Sequence, residues 1–273
     1  MVPLYNGMKE VCDANGIELI EYYAENDIEK QISQCDDLLQ QDIDGLIVMP
    51  VDFEGITPAL DAAQKAGVPV VSVDAACADA EKTIAYIASD NYKAGWLCGE
   101  HVLETLDSAK ILVLSHPEIK CTIDRLQGFN DAMAESPNSG KYNVICSQTG
   151  EYTRAKGMEV MESFLKSDGD KIDILFSCNG DMALGAIQAI EAAGLKPGED
   201  IVIVSIDAAK GEFNAMIEGK MNCAVEHTPN FGETLMETAK KIVAGEEVPA
   251  TIELEEGIFP ADIAEQEMPN RTY

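Results

Sequence analysis

Polar side chains stand after several apolar stretches of this sequence, at the points where strands are predicted to end. Residues 172–194, "IDILFSCNGDMALGAIQAIEAAG", run from a strand pattern through Asn179-Gly180-Asp181 into a helix pattern. In open parallel sheets, ligands bind beyond the carboxyl ends of the strands. The residues predicted at such ends are Pro50 to Phe53, Asp74, Arg125, Tyr152, Arg154, Asn179, Asp181, Asp207 and His227.

This mixture of side chains suits a neutral ligand with many hydroxyl groups. Each hydroxyl can donate to a carboxylate and accept from an arginine or an amide, in charge-assisted bonds of about 1.5–3 kcal/mol. An aromatic ring can cover the C–H face of a sugar. Asn179 is interpreted as a hydrogen-bonding arm, and Asp181, two residues on, is predicted to cap the next helix.

The sequence lacks the motifs that nucleotide, metal or nucleophilic chemistry requires. Neither GxGxxG nor GxxxxGK[ST] occurs, and there is no GxSxG elbow. The eight cysteines form no CxxC pair and the three histidines do not cluster, so no metal site is expected. We therefore expect a binding protein without a cofactor, and not an enzyme.

Strand patterns alternate with helix patterns along the chain. Segments of roughly 10–18 residues with helical spacing separate most of the strands. Repeated strand–helix–strand units imply parallel sheets with helices on both faces. The predicted strands are 17–23, 45–50, 68–74, 110–115, 142–148, 173–178, 200–206 and 221–226.

The chain also repeats itself. Residues 42–76 match residues 171–209 in the order strand, polar loop, helix, Ala-Gly stop and strand, ending in "VDAA" and "IDAA". Upstream of these, residues 5–25 resemble residues 125–151. Asp74 and Asp207 therefore occupy equivalent places, and the repeat predicts two similar α/β lobes, each with a doubly wound parallel sheet.

The first repeat lacks one element. In the second repeat the helix around "LQGFNDAMA" follows the strand 110–115, whereas the equivalent helix of the first begins almost at Met1. The first lobe is therefore predicted to lack its opening strand, which is usually central in a doubly wound sheet. Two interpretations stay open: a sequence that starts at an internal methionine, and a shortened protein whose sheet is filled in another way.

Composition excludes several classes of partner. The 273 residues carry a net charge of −30, which repels nucleic acid and anionic lipid. No apolar run approaches the roughly 20 residues of a membrane helix. The first ten residues lack the basic start and apolar stretch of a signal peptide. The widely spaced cysteines are expected in and near the core rather than in extensive disulfides.

At these residues the sequence resembles the periplasmic sugar-binding proteins of ABC importers, especially the ribose-binding-protein group (periplasmic binding protein type I). The resemblance covers nearly the whole chain. Residues 83–102 resemble that family's hinge and the helix after it. The motifs "RLQGFNDAM", "GEYTRAKGMEVM", "FSCNGDMALGAIQAI" and "IVSIDAAKGEFNAMIEGKMNCAVEHTPNFG" are similar to its second-lobe motifs in order and spacing.

The resemblance implies two lobes joined by three crossovers that close over one monosaccharide or polyol. Lobe one would comprise 1–89 plus 228–254, and lobe two 90–227 plus 255–273. It further implies an extracytoplasmic location, periplasmic or lipid-anchored at the cell surface, and a membrane permease as partner. Carried over by position, the ligand contacts would be Asp74, Arg125, Tyr152, Asn179, Asp207 and His227.

Two departures from the family pattern bear on the ligand. Ribose binders have arginine directly after the first-lobe aspartate, where this chain has Ala75. The family's first strand and the polar-aromatic loop after it are absent. Another monosaccharide or a polyol is therefore at least as good a candidate as ribose.

The same fold leaves other functions to weigh. The effector domain of a LacI-type regulator shares it, although the helix-turn-helix of those repressors is absent here and the charge disfavours DNA. A sensory receptor domain is a further alternative. An enzyme would need a nucleophile–base pair or a phosphate loop.

Overall fold

The computed structural model describes residues 2–25, 27–117, 119–168, 172–254, 256–271 and 273. The chain divides into two compact units. Unit 1 comprises Met1–Ser89 and Pro229–Glu255, and unit 2 comprises Asp90–Thr228 and Glu256–Tyr273. Each unit is built on a mainly parallel sheet, so the predicted α/β class is confirmed.

The elements alternate along the chain as the sequence predicts. The strands are β1 (Leu46–Val48), β2 (Val70–Val73), β3 (Ala85–Ser89), β4 (Ala109–Ser115), β5 (Tyr142–Thr149), β6 (Ile174–Ser177), β7 (Val202–Asp207), β8 (Cys223–Glu226), β9 (Thr251–Leu254) and β10 (Ile258–Pro260). The helices are α1 (Val2–Asn15), α2 (Ile28–Leu39), α3 (Thr57–Ala66), α4 (Asn91–Thr105), α5 (Lys120–Glu135), α6 (Arg154–Asp168), α7 (Gly180–Ala192), α8 (Lys210–Ile217), α9 (Gly232–Val243) and α10 (Ala264–Glu267).

Unit 1 has a four-stranded parallel sheet in the order β1–β2–β3–β9. Its central strand β2 is buried along its whole length, as expected for a parallel strand that is covered on both faces. One core cluster lies under α2 and α3, and a second packs β2 and β3 against α9. This arrangement places Asp74 directly after β2.

The predicted strand 17–23 is wrong. Residues 17–24 have no regular secondary structure and pair with no strand. A strand needs a hydrogen-bonded neighbour, and the described part of the chain provides none between this segment and β1. The sequence also missed three strands, β3, β9 and β10, because each is short and has no clear alternation.

Unit 2 has a six-stranded sheet in the order β10–β8–β7–β6–β4–β5. The pairs from β8 to β5 are parallel, and β10 is antiparallel to β8. The central strands β4, β6 and β7 are almost wholly buried between α4, α5, α7 and α8. The carboxyl ends of β7 and β8 therefore lie side by side at one edge of the sheet.

Helices α4 and α5 pack so closely that their backbones touch through glycines. A Cβ atom added to Gly95 would lie 1.8 Å from the carbonyl oxygen of Arg125, and one added to Gly128 would lie 1.9 Å from that of Tyr92. Both contacts are with rigid helix backbone, so a side chain fits only if the helices separate. Gly95 therefore helps to fix the position of Arg125.

We expect Gly95→Ala to destabilise the protein by about 2–3 kcal/mol, because overpacking forces the two helices apart. Urea unfolding followed by circular dichroism measures the change. Gly140→Ala is the matched control, since a Cβ atom there meets nothing within 4 Å. Equal stability of the two variants would contradict the close helix packing.

All eight cysteines are free, and six of them are buried. The expectation that cysteines serve as small core residues is confirmed for those six. Among the helices of the described residues, none combines the length and the apolar character needed to cross a bilayer.

Candidate functional site

Strained backbone marks the carboxyl ends of the strands. Positive φ angles occur at Asp74 (63°), Tyr152 (55°) and Asp207 (136°), and also at Glu151 and Ala208. Such angles are unfavourable for residues with a side chain and concentrate at functional sites. These five residues lie at or just after the ends of β2, β5 and β7, where the sequence places candidate ligand contacts. The two other described non-glycine residues with positive φ, Glu25 and Asp42, lie elsewhere in unit 1.

Arg125 is the buried cation of unit 2. Its residue is only 3% exposed. Nε donates to Asn91 Oδ1 at 2.8 Å, and Nη1 donates to the carbonyl oxygen of Cys178 at 2.6 Å. Nη1 also lies 3.8 Å from Asp207 Oδ1. Burial opposes the charge, but Asp207 and the neighbouring thiol and phenol groups together more than offset it, so the pKa of Arg125 is raised and the guanidinium stays charged.

Asp207 lies at the end of β7 and still has 29% of its side chain exposed. Its Oδ2 accepts a hydrogen bond from the backbone N–H of Gly180 at 3.0 Å. Burial raises the pKa of Asp207, while Arg125, His227 and the Gly180 N–H oppose the rise. A carboxylate held between a cation and a helix N-terminus, with open surface left, is well placed to accept from a ligand hydroxyl.

Asn179, and not the predicted Asp181, caps the N-terminus of α7. Its Oδ1 accepts from the backbone N–H of Met182 at 3.0 Å, which makes Asn179 the N-cap of α7. The expectation that Asp181 caps this helix is therefore wrong. Asp181 instead pairs with Arg154 at 2.7 Å, and both side chains are about half exposed. The capping bond uses the oxygen of Asn179, so its NH2 group is the part that can donate to a ligand.

Tyr152 is half-buried, and its hydroxyl contacts the first turn of α5. The hydroxyl oxygen makes a very short contact with Thr122 Oγ1 and lies 3.2 Å from Cys121 Sγ. Its ring centroid is 5.6 Å from that of His116. Burial raises the pKa of the phenol, so it stays protonated. The ring, rather than the hydroxyl, is the surface that Tyr152 offers to a ligand.

His227 follows β8 and lies beside Asp207. Its backbone N–H donates to the carbonyl oxygen of Asp207 at 3.3 Å. Its Nδ1 lies 4.0 Å from a Glu256 carboxylate oxygen, and 19% of the side chain is exposed. Unit 2 therefore brings together five predicted residues: Arg125, Tyr152, Asn179, Asp207 and His227.

The sixth predicted residue, Asp74, belongs to unit 1. Its backbone N–H donates to the carbonyl oxygen of Ile87 at 2.9 Å, and its own carbonyl oxygen accepts from the Tyr86 hydroxyl at 3.2 Å. In the nearby loop Asp52 Oδ1 accepts from the backbone N–H of Gly55 at 2.6 Å, a turn-forming role. Phe53 is 52% exposed and available to a ligand.

Sequence reasoning missed three residues that shape this site. Asn91 holds the Arg125 guanidinium. It was missed because it follows β3, a strand that the sequence did not predict. The ring of His116 packs against that of Tyr152 in a tilted arrangement. Glu212 is fully buried behind Gly180, where an added Cβ atom would lie 2.4 Å from its carboxyl carbon. The stretch "KGEF" gives no signal of that burial, since glutamate is rarely buried.

The arrangement presents hydrogen-bonding groups that suit the binding of a polar ligand. The carboxylate of Asp207 lies beside the Arg125 guanidinium and the helix that Asn179 caps, and these groups can pair with the hydroxyls of a ligand. The described residues contain no group of three metal-ligating side chains. The buried cysteine nearby, Cys178, has its pKa raised to about 12 chiefly by burial, so its thiol is protonated at neutral pH.

Comparisons with known proteins agree with this chemistry. A family model described as a periplasmic binding protein domain matches residues 1–247. The galactofuranose-binding protein of Escherichia coli strain K12 is 32% identical, over 96% of this chain and 84% of that protein. The ribose import binding protein of Bacillus subtilis strain 168 is also 32% identical, over 92% of this chain and 80% of that protein.

A solved structure is similar throughout. The periplasmic binding component of the arabinose ABC transporter of Shewanella sp. ANA-3, bound to L-arabinofuranose, superposes with a TM-score of 0.91 at 35% identity. The match covers 98% of this chain and 90% of that chain.

Proposed function

The chain belongs to the periplasmic binding protein family, and from this premise we propose that it is the solute-binding component of an ABC-type sugar importer. Like its relatives, it is a binding protein and not an enzyme. The Asp207–Arg125 pair at the end of β7 is the observation that carries the proposal. The family match and these relatives favour an importer component over a LacI-type regulator or a sensory receptor.

The chemistry of each side chain in unit 2 indicates its role in binding the sugar. Asp207 accepts from one or two sugar hydroxyls, and Asn179 and His227 add hydrogen bonds beside it. Arg125 holds the Asp207 carboxylate charged and in place, and donates to a hydroxyl that lies next to it. The ring of Tyr152 packs on the C–H face of the sugar. The proposed role of Asp74 in unit 1 as a further contact stays a prediction.

We propose a monosaccharide in the five-membered furanose ring as the ligand. One relative is named for galactofuranose, and the similar solved structure holds arabinofuranose. The absence of arginine at Ala75 disfavours ribose. Galactofuranose and L-arabinofuranose are therefore the first candidates, ahead of ribose and the polyols.

The proposal includes a place and a partner. Binding components of importers deliver their ligand to a membrane permease, which we propose as the partner of this chain. Relatives named as periplasmic or import binding proteins support an extracytoplasmic location. The charge of −30 favours neither nucleic acid nor an anionic membrane as a further partner.

Thermal unfolding in the presence of sugars tests the ligand class. A ligand at about 100 times its dissociation constant stabilises the folded chain by about 2.7 kcal/mol. We expect L-arabinose and D-galactose to raise the melting temperature more than D-ribose and myo-inositol do.

Two locked analogues separate the ring forms. We expect 1,4-anhydroarabinitol, which has only the five-membered ring, to stabilise the chain more than 1,5-anhydroarabinitol, which has only the six-membered ring. The opposite order would overturn the furanose assignment. No shift with any sugar or polyol would overturn the sugar-binding proposal itself.

A further inference from the structure

Unit 2 contains a second polar cluster, separate from the proposed sugar contacts, where Arg271 and Tyr273 meet the end of β8. Its centre is Glu226, the last residue of that strand. Glu226 Oε1 accepts from Arg271 Nη1 at 2.7 Å and from the Tyr273 hydroxyl at 2.8 Å. Only 16% of the Glu226 side chain and 10% of the Arg271 side chain are exposed. Burying two charges is costly unless they are well paired, so the pair holds Glu226 in one position.

Aromatic rings hold the Arg271 guanidinium in place. Its central carbon lies 4.5 Å from the ring centroid of Phe259 in β10 and 5.2 Å from that of Phe213 in α8. Such cation–π contacts suit the planar guanidinium group. The backbone N–H of Glu226 also donates to the carbonyl oxygen of Gly257, just before β10, at 2.8 Å. The cluster therefore ties β8, β10 and α8 together.

Tyr273 connects the two loops that carry Asp207 and His227. Its hydroxyl donates to Glu226, the residue directly before His227. Its main-chain oxygen accepts from the backbone N–H of Lys210 at 2.9 Å, three residues after Asp207. Burial and the charge of Glu226 raise the pKa of the Tyr273 phenol, so the hydroxyl stays protonated and keeps its bond to the carboxylate.

The backbone of these loops needs such support. Asp207 and Ala208 have φ angles of 136° and 53°, and strained residues persist only where surrounding contacts hold them. The sheet supplies one connection between the loops: Asp207 pairs with Glu226, and the Asp207 carbonyl oxygen accepts from the His227 N–H at 3.3 Å. Tyr273 supplies a second connection, which does not belong to the sheet ladder.

We propose that Tyr273 is a positioning residue of the sugar site, which fixes His227 relative to Asp207 through Glu226. Arg271 supports it by holding the Glu226 carboxylate, and neither side chain is assigned a contact with the sugar. A site that is held in its binding geometry pays less ordering cost when the ligand arrives, so affinity falls when the loops move independently. This inference rests on the proposed function, because it concerns sugar affinity.

Tyr273→Phe tests this role, because it removes the hydroxyl and keeps the ring and the main-chain oxygen. Isothermal titration calorimetry measures the dissociation constant for the sugar that gives the largest thermal shift. We expect Tyr273→Phe to weaken binding about ten-fold. In a His227→Ala background the same substitution should change the affinity less than about two-fold, because the residue through which Tyr273 acts is gone. No loss of affinity, or an equal loss in both backgrounds, would overturn the proposal.

Tyr142→Phe is the matched control. The Tyr142 hydroxyl donates to the carbonyl oxygen of Leu106 at 2.6 Å, and Tyr142 begins β5, at the end opposite to the one that Tyr152 follows. This variant loses a comparable half-buried hydrogen bond and should become less stable while its sugar affinity stays unchanged. An equal loss of affinity in Tyr142→Phe and Tyr273→Phe would assign the effect to general loosening of unit 2, and so overturn the positioning role.

A measurement without sugar separates this inference from the proposed function. The three histidines give separate imidazole signals in the proton NMR spectrum, and His227→Ala identifies the signal of His227. We expect Tyr273→Phe to shift the signal of His227 and to leave that of His101 in place. If the unaltered chain binds no sugar, the proposed function fails, whereas a shifted His227 signal still supports the link from Tyr273 to His227. An unchanged His227 signal would overturn that link whether or not sugar binds.

Discussion

Asp207→Ala is expected to weaken sugar binding at least about 100-fold. Hydrogen bonds to a charged group contribute about 1.5–3 kcal/mol each, and a loss of two corresponds to this factor or more. The substitution also removes the acceptor of the Gly180 N–H and the anion that lies 3.8 Å from Arg125. The dissociation constant for the sugar that gives the largest thermal shift is measured by isothermal titration calorimetry.

Two further variants separate charge from shape and from general damage. Asp207→Asn keeps an oxygen for the Gly180 N–H and is expected to lose affinity about ten-fold. Asp200→Asn is the matched control, because Asp200 accepts from the backbone N–H of Lys196 in the turn before β7, away from the strand's carboxyl end. A loss of less than about three-fold for Asp207→Ala would show that Asp207 is not a sugar ligand.

Glu212→Gln is expected to remove much of the pH dependence of stability between about pH 5 and pH 8. Burial raises the pKa of Glu212 from 4.5 to about 8, and repulsion by Asp207 adds to the rise. The folded chain therefore holds a proton in this range that the unfolded chain has lost. The stabilisation that this proton gives is fully present below the pKa of Glu212 in the unfolded chain. It is lost as pH rises towards and through the pKa of Glu212 in the folded chain, by up to about 1.4 kcal/mol per pH unit.

Glutamine keeps the contacts of the protonated acid. The Glu212 carboxylate oxygens contact Ser205 Oγ and accept from the Ala209 N–H at 2.9 Å, and an amide can serve both groups. Urea unfolding at several pH values should give a steeper decline for the unaltered chain than for Glu212→Gln, with the largest difference near pH 8. Asp207, whose pKa burial also raises, leaves a residual slope of the same sign in both. Glu218→Gln, on the exposed end of α8, is the control. Parallel declines in Glu212→Gln and the unaltered chain would refute the assignment.

The sequence predicts the α/β class because most of its strands are apolar runs with helical patterns between them. It fails at the segment 17–24, where the pattern is that of a strand but the described residues place no strand partner between it and β1. Local pattern reports what a segment can form, and pairing decides whether it does. The missed strands β3, β9 and β10 are five residues or shorter and are defined by their neighbours in the sheet.

The site residues at the ends of strands could be predicted from the sequence. Those whose role depends on buried contacts could not. Asp207 and Asn179 lie where parallel topology puts them, although Asn179 takes the capping role expected of Asp181. Asn91 and Glu212 escaped notice because their importance comes from contacts with Arg125 and Ser205, which no spacing in the sequence reveals. Polar networks of this kind become visible only when the packing is known.

The reactivity of the buried cysteines can report when each unit of the chain opens. Thiols are alkylated as thiolates, and burial raises the pKa of each of the six buried ones. In the folded chain an alkylating reagent therefore meets chiefly Cys121 and Cys146. The other six react only after their surroundings open. The alkylation rates of Cys12, Cys35 and Cys77 therefore measure the opening of unit 1. Those of Cys98, Cys178 and Cys223 measure the opening of unit 2.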